Sequence, residues 1–274
     1  MIIDAHAHAC GPFLRGENLI RLLDQTGVDR VILVPGQKDL EKEYSLPNIA
    51  GLFPNHDVVP ITNALTRLVT KLTGTLHQIP EGNKYVYQLA QCYPDRILQF
   101  YWATLNTPGI LDQVQAEYVA FQFRGIKLHQ CWENFSIGSP IFRAIAKFAT
   151  QHGLPIFIHM GSYEEVKALI DFIRQSPETI FIIGHLFGME YYMRSGISFQ
   201  NVYFEISSPS IVSLTRLKQA IAYFGAHRIV MGSDVPYGKD NLRRNIQRVR
   251  ELNISAEEKA LILGQNIQRI LCDR

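Results

Sequence analysis

The chain begins Met1-Ile2-Ile3-Asp4-Ala5-His6-Ala7-His8, with two histidines spaced i, i+2. Side chains of an extended strand alternate between faces, so His6 and His8 project to the same side. The apolar residues before them put both imidazoles at the C-terminal tip of a buried strand. A divalent metal is the simplest partner for two imidazoles so placed, because neutral histidine nitrogen is among its commonest ligands.

The other histidines divide by position. His129 ends Gly125-Ile-Lys-Leu-His129, His159 ends Pro155-Ile-Phe-Ile-His159, and His185 ends Ile180-Phe-Ile-Ile-Gly-His185. Two carboxylates lie at equivalent places: Glu205 ends Val202-Tyr-Phe-Glu205, and Asp234 ends Ile229-Val-Met-Gly-Ser-Asp234. His152 and His227 precede apolar runs, and His56 and His77 fall in a long connection, so these four are assigned no chemistry. Where strand ends converge on one mouth, His6, His8, His159 and Asp234 give three imidazoles and a carboxylate. That is a zinc-type set with one position open for water. A metal there lowers the pKa of its water towards about 7, and a neighbouring carboxylate can take the proton.

Elements of the right kind exist to bring these ends together. The apolar runs are Met1–His8, Arg30–Pro35, Ile97–Thr104, Phe123–His129, Pro155–Met160, Ile180–His185, Val202–Ile206 and Arg228–Asp234. Most lack polar alternation, as parallel strands buried on both faces do. Amphipathic segments separate them, several stopped by glycine at Gly27, Gly153 and Gly225. Eight βα units in about 250 residues is the count of a (β/α)8 TIM barrel. Ser255-Ala-Glu-Glu258 is a capping box that opens an extra C-terminal helix over Ala256–Leu271. The expected architecture is a single distorted barrel domain over residues 1–274. Its abnormal feature is a connection of more than 40 residues after strand 2, at 36–82, where a handful is usual. With helices expected at Leu46–Phe53 and Asn63–Leu72, it reads as a lid over the mouth or an oligomer contact, and a homodimer suits the second.

Composition narrows the partners. A net charge of +2 without a Lys/Arg block argues against nucleic acid or an anionic membrane surface. No apolar run approaches the roughly 20 residues of a membrane span. The N-terminus enters a strand directly, which argues against a signal peptide. The four cysteines are scattered without CxxC spacing and read as reduced thiols. The expectation is a cytoplasmic protein with a small-molecule substrate.

Taken in order, an HxH pair, a strand-4 lysine, strand-5 and strand-6 histidines and a strand-8 aspartate resemble the amidohydrolase superfamily. The wording is closest to its amidohydrolase-related branch, which includes aminocarboxymuconate-semialdehyde-type decarboxylases and metal-dependent hydrolases. Asp4-Ala-His-Ala-His8, Tyr93-Pro-Asp-Arg96, Gly125-Ile-Lys-Leu-His129, Gly184-His-Leu-Phe-Gly188, Gly232-Ser-Asp-Val-Pro236 and Leu263-Gly-Gln-Asn266 carry the resemblance across nearly the whole chain. It implies that His6, His8, His159 and Asp234 bind the metal, that Asp234 relays a proton, and that His185 polarises a carbonyl or acts as acid/base. In two-metal members a carbamylated strand-4 lysine bridges the ions, which points to Lys127. The plainer role for Lys127 is an ion pair, with Glu205 the expected partner. His129, on the same strand face, is expected near a second metal or against the substrate. Arg15, Tyr163 and Tyr237 follow strands 1, 5 and 8 and are the expected substrate contacts, with Arg15 suited to a carboxylate. The function expected is metal-dependent hydrolysis of a small carbonyl, amide or ester-like compound, with one ion, zinc first and manganese next. Decarboxylation of an unsaturated or aromatic carboxylate is the close rival. A metal-independent lactonase or a non-catalytic binding protein stands behind both.

Overall fold

Eight parallel strands run in sequence order around one sheet. The computed structural model describes residues 1–37, 42–44, 47–73, 78–196 and 199–272. The first half comprises β1 (Ile3–His8), α1 (Gly16–Thr26), β2 (Arg30–Val34), α2 (Ile49–Leu52), α3 (Val59–Thr73), α4 (Ile79–Cys92), β3 (Ile97–Trp102), α5 (Ile110–Phe121) and β4 (Gly125–His129). There follow α6 (Pro140–Gln151), β5 (Ile156–His159), α7 (Tyr163–Gln175), β6 (Phe181–Ile183), α8 (Met189–Arg194), β7 (Val202–Glu205), α9 (Leu214–Phe224) and β8 (Ile229–Val230). The chain ends with α10 (Asn241–Arg250), α11 (Ala256–Ala260) and α12 (Asn266–Cys272).

Each strand pairs in parallel with the next, from β1 to β8. The seam between β8 and β1 is joined by Ala5 N to Met231 O at 2.9 Å, Ser233 N to His6 O at 3.1 Å and His8 N to Val235 O at 2.9 Å. The result is a TIM barrel, as the strand count predicts. Every residue of β1 and β4 is buried, which is why these strands read as runs without polar alternation. Ile3, Ile32, Phe100, Phe157 and Val230 share one apolar cluster. Leu19, Leu23, Val31, Ile126 and Leu217 belong to the larger cluster that includes the helices. Burying each such side chain contributes about 1.5–3 kcal/mol.

The strand expected over Arg228–Asp234 pairs only at Ile229–Val230, and three further elements take their bounds from local causes. The expected β6 run to His185 stops at Ile183, because Gly184–Leu186 form a 3-10 turn with His185 in left-handed backbone. The amphipathic segment stopped by Gly225 becomes helical at Leu214, where the Ser213 hydroxyl accepts from Arg216 N at 3.0 Å and fixes the start. The last helix forms behind its capping box, but a π-turn at 261–265 divides it. That turn frees the Ile262 carbonyl to accept from Met231 N at 3.0 Å, tying the C-terminus to the strand-8 segment. Gly264 allows the approach, since a Cβ there would lie 2.8 Å from Met1 O.

The insertion docks on the C-terminal ends of β5, β6 and β7. Asn63 and Arg67, one turn apart on α3, bond the carbonyls of Met160 at 3.0 Å and Gly161 at 2.9 Å. Asp57 accepts from Gly188 N at 2.8 Å and lies 3.7 Å from buried Arg216. Ala50 N bonds Ser210 O, and the Ser213 hydroxyl bonds Pro54 O. The opposite side of α3 exposes Ile61, Leu65 and Leu68. Position 46 of the helix expected at Leu46–Phe53 and His77 lie outside the described residues; α2 covers only Ile49–Leu52. Among the described residues no helix is long and apolar enough to cross a membrane.

Candidate active site

The strand ends bring the sequence-selected side chains to one mouth, where they form two groups. In the first, ligand atoms of His6, His8 and Asp234 all lie within 4.8 Å of one another. Asp234 Oδ1 is 3.7 Å from His6 Nε2 and 3.4 Å from His8 Nε2. Both rings are oriented from behind. His8 Nδ1 donates to Pro35 O at 2.8 Å, which leaves the Nε2 lone pair facing Asp234. His6 turns Nδ1 towards the Ser207 hydroxyl at 3.4 Å and Glu205 Oε2 at 3.8 Å. Burial, reinforced for His6 by Lys127 and the neighbouring imidazoles, lowers the affinity of both rings for protons, His6 most strongly. Neutral rings with back nitrogens anchored and front nitrogens beside a carboxylate fit a divalent cation.

The fourth member of the expected set, His159, lies in the second group, with His129 and Cys131. Its ring stacks on His129 with centroids 4.0 Å apart. His159 Nε2 donates to Asn63 Oδ1 at 2.8 Å, and His159 Nδ1 is 3.2 Å from His185 Nε2. His185 Nδ1 in turn donates to Ser207 O at 2.6 Å. The acceptors at both ends of this chain require N–H groups, so a good central bond needs three protons on two rings. Burial, with His185 and Lys127 nearby, holds His159 well below the usual histidine range. Glu205 Oε2 lies 3.8 Å from His185 Nδ1, and burial raises the affinity of this carboxyl for a proton.

Backbone geometry sets up the two key groups. His185 (φ 59°) and Asp234 (φ 58°) both adopt left-handed conformations. Such conformations cost a non-glycine residue about 1–2 kcal/mol and cluster at functional sites. Gly232 is needed where Glu205 and β1 meet, because a Cβ there would strike the Glu205 carboxylate and lie 2.9 Å from His6 Cβ. Glu205 is fully buried and accepts from Ser207 N at 2.5 Å and His185 N at 3.3 Å. It therefore organises both rings from beneath the site.

Lys127 does not form the expected ion pair with Glu205. Among the described residues no carboxylate lies within 4.0 Å of its amine, which instead contacts His6 Nε2 at 2.9 Å and sits 3.9 Å from the Phe157 ring centre. The reason is Glu205's commitment to Ser207 and His185. Burial pushes Lys127 down to about 7, against the pull of Asp234 and Glu205. His129 stacks in parallel on Trp102, with centroids 5.3 Å apart. Tyr237 meets the edge of His8 at 5.1 Å. Tyr163 stacks with Phe187 and packs against Tyr191. Arg15 is exposed at the start of α1, where its charge acts on Tyr85.

Sequence reasoning missed Asn63, Ser207 and Trp102. Asn63 belongs to the insertion, and nothing in its helical spacing tells which strand end it meets. Ser207 acts through its backbone carbonyl, which any residue supplies. Trp102 ends β3 just as the histidines end their strands, and that position was the available signal.

The sequence model of the amidohydrolase family matches residues 3–271. No curated protein matches the chain in sequence. Among solved structures, 2,6-dihydroxybenzoate decarboxylase from Rhizobium aligns at TM-score 0.72 and 14% identity, over 98% of each chain. A manganese-bound 5-carboxyvanillate decarboxylase from Novosphingobium aromaticivorans aligns at TM-score 0.71 and 14% identity, over 99% of this chain and 97% of that one. A 4-oxalomesaconate hydratase from Rhodopseudomonas palustris aligns at 0.65 and 14%, over 99% and 95%.

Proposed function

The chain belongs to the amidohydrolase family, and from that premise we propose that it is a metal-dependent enzyme that decarboxylates a small planar carboxylate, aromatic or conjugated. The observation that carries this reading is the aromatic wall around the donor set. Trp102 is fully buried, stacked on His129 and packed on Trp132 at 4.8 Å, and Phe157 lies 4.2 Å from His6. Flat apolar faces beside a buried cation site suit a conjugated ring with an anionic group. The decarboxylases of similar fold act on substrates of this kind.

His6, His8 and Asp234 would hold the metal; the His185 ring lies 5.7 Å from that of His6, and His159 contacts His185 in turn. Zinc or manganese suits a set of imidazoles and one carboxylate, and manganese is bound in the carboxyvanillate enzyme. When bound, the ion supplies Lewis acidity. The chain's own residues supply the rest. Asp234, poised between two imidazoles, is assigned to hold and deliver the proton that replaces the lost carboxyl group. His185 is anchored through Ser207 O and Glu205, with its Nε2 turned to His159. The insertion adds Asn63 to the site, bonded to His159 and to the Met160 carbonyl.

Hydrolysis of a small carbonyl compound is the second reading. It is favoured by the anchored His185 ring, 5.7 Å from that of His6, a group suited to stabilise a developing oxyanion. The test is a panel of aromatic and conjugated carboxylates offered to manganese- and zinc-loaded protein, with carbon dioxide release measured. Release that falls by about 100-fold or more in Asp234→Asn supports the proposal. Turnover of esters, amides or lactones in the same preparation, with no carbon dioxide from any carboxylate, would replace it by hydrolysis.

A further inference from the structure

Two buried donors beside His8 have no use in the roles assigned so far. Trp102 is 1% exposed, and its indole N–H finds no acceptor among the described residues. The buried Tyr237 hydroxyl finds no partner there either. Both rings contact the same imidazole: Trp102 lies 5.8 Å from His8 between centroids, and Tyr237 meets it edge-on at 5.1 Å.

Both rings are held rigidly. Asn83, itself buried, accepts from Trp102 N and donates to Trp102 O, each at 2.9 Å. Gln99 Nε2 bonds the Asn83 carbonyl at 2.8 Å and fixes Asn83 in turn. The parallel stack on His129 and the contact with Trp132 settle the plane of the indole. Tyr237 stacks on Tyr44, centroids 5.5 Å apart and planes within 8°, and its backbone N–H bonds Asp234 O at 2.8 Å. So much order around a donor with no acceptor is unfavourable in the free protein, since buried polar groups are ordinarily satisfied.

We propose that Trp102 Nε1–H and Tyr237 Oη–H, on two rings that both contact His8, form a subsite for the carboxylate oxygens of the substrate. The indole nitrogen can only donate, so the ligand must present an acceptor. Lys127, 5.8 Å from the Trp102 ring centre, adds an amine whose charged form an anionic ligand would favour over a neutral amide. This deepens the carboxylate-substrate reading above and rests on it.

The test is calorimetric titration of the metal-loaded protein with benzoate and with its neutral counterpart benzamide. Benzoate should bind more tightly than benzamide. Tyr237→Phe should weaken benzoate about tenfold or more, as for a lost hydrogen bond to a charged group, while benzamide changes by less than about twofold. Trp102→Phe should act in the same direction. Tyr237→Phe should unfold at the same or a higher temperature than wild type, because the hydroxyl it removes has no partner in the free protein. Benzoate affinities within about twofold of wild type in both variants would overturn the subsite, as would no benzoate binding to wild type. A clear fall in the unfolding temperature of Tyr237→Phe would also overturn it, by revealing a structural role for the hydroxyl. Benzoate binding that depends on both donors, without carbon dioxide release from any carboxylate, would sustain the subsite and remove the decarboxylase reading alone.

Discussion

Replacing Asn63 by leucine tests whether the insertion is bound to the barrel or merely rests on it. The substitution roughly keeps side-chain volume and removes the amide that spans α3 and β5. Two buried groups then lose their partners: the Met160 carbonyl, now at 3.0 Å, and the His159 Nε2–H, now at 2.8 Å. Leaving a buried donor or acceptor unpaired costs about 1–3 kcal/mol each. The added apolar surface of leucine, at position 63 where only 3% is exposed, recovers about 1 kcal/mol. The expected net loss is about 1–5 kcal/mol in urea unfolding, read as a shift in midpoint at unchanged slope.

A second outcome of Asn63→Leu follows from the remaining anchors. If α3 lifts from β5 on its own, the loss in global stability is smaller and appears as faster amide exchange over 59–68. Arg67 to Gly161 O and Asp57 to Gly188 N would then be the contacts that limit the opening. Global stability within 0.5 kcal/mol of wild type, with unchanged exchange in that segment, would refute the reasoning. The insertion would then owe its position to apolar contact, and the Asn63 bridge would have no energetic weight.

Metal analysis separates ligands from their neighbours. His8→Ala should lose the bound ion, while His185→Asn should retain it with turnover greatly reduced; loss of metal from His185→Asn would make that residue a ligand. Wild type should carry about one zinc or manganese per chain, and two would bring Lys127 into the set. Stability should also depend on pH through Glu133. Burial pushes this carboxyl up to about 7, against backbone N–H groups of Leu105 and Asn106 that favour its charged form. A carboxyl whose folded pKa is raised contributes stability that is present below the unfolded pKa and lost as pH rises through the folded one. Unfolding free energy should therefore fall by about 3 kcal/mol between roughly pH 4.5 and 7 through this residue. Glu133→Gln should flatten that part of the profile, and superimposable pH profiles would exclude Glu133 as its source.

What the sequence made legible was whatever the strand period controls. Strand ends show in sequence because an apolar run must stop where the barrel opens, and a polar residue at that point is conspicuous. His6, His8, His129, His159, Glu205 and Asp234 were all found this way, and all lie at the mouth. What strand position does not encode is which ring nitrogen faces the cavity. That depends on the acceptor behind each ring: Pro35 O for His8, Ser207 O for His185 and the Asn63 amide for His159. Two of these are backbone carbonyls, so no residue type announces them, and the third comes from the insertion. The expected ion pair of Lys127 with Glu205 failed for the same reason. Opposite charges near the C-terminal ends of β4 and β7 suggest a pair across the mouth, but Glu205 is already satisfied by Ser207 and His185, and Lys127 turns to His6 instead. A buried carboxylate is claimed by whichever donors reach it at least cost in desolvation, and backbone N–H groups beside it reach first. The chemistry of the site is therefore written in residue types at strand ends, while its proton arrangement is written in the backbone and the insertion that close around them.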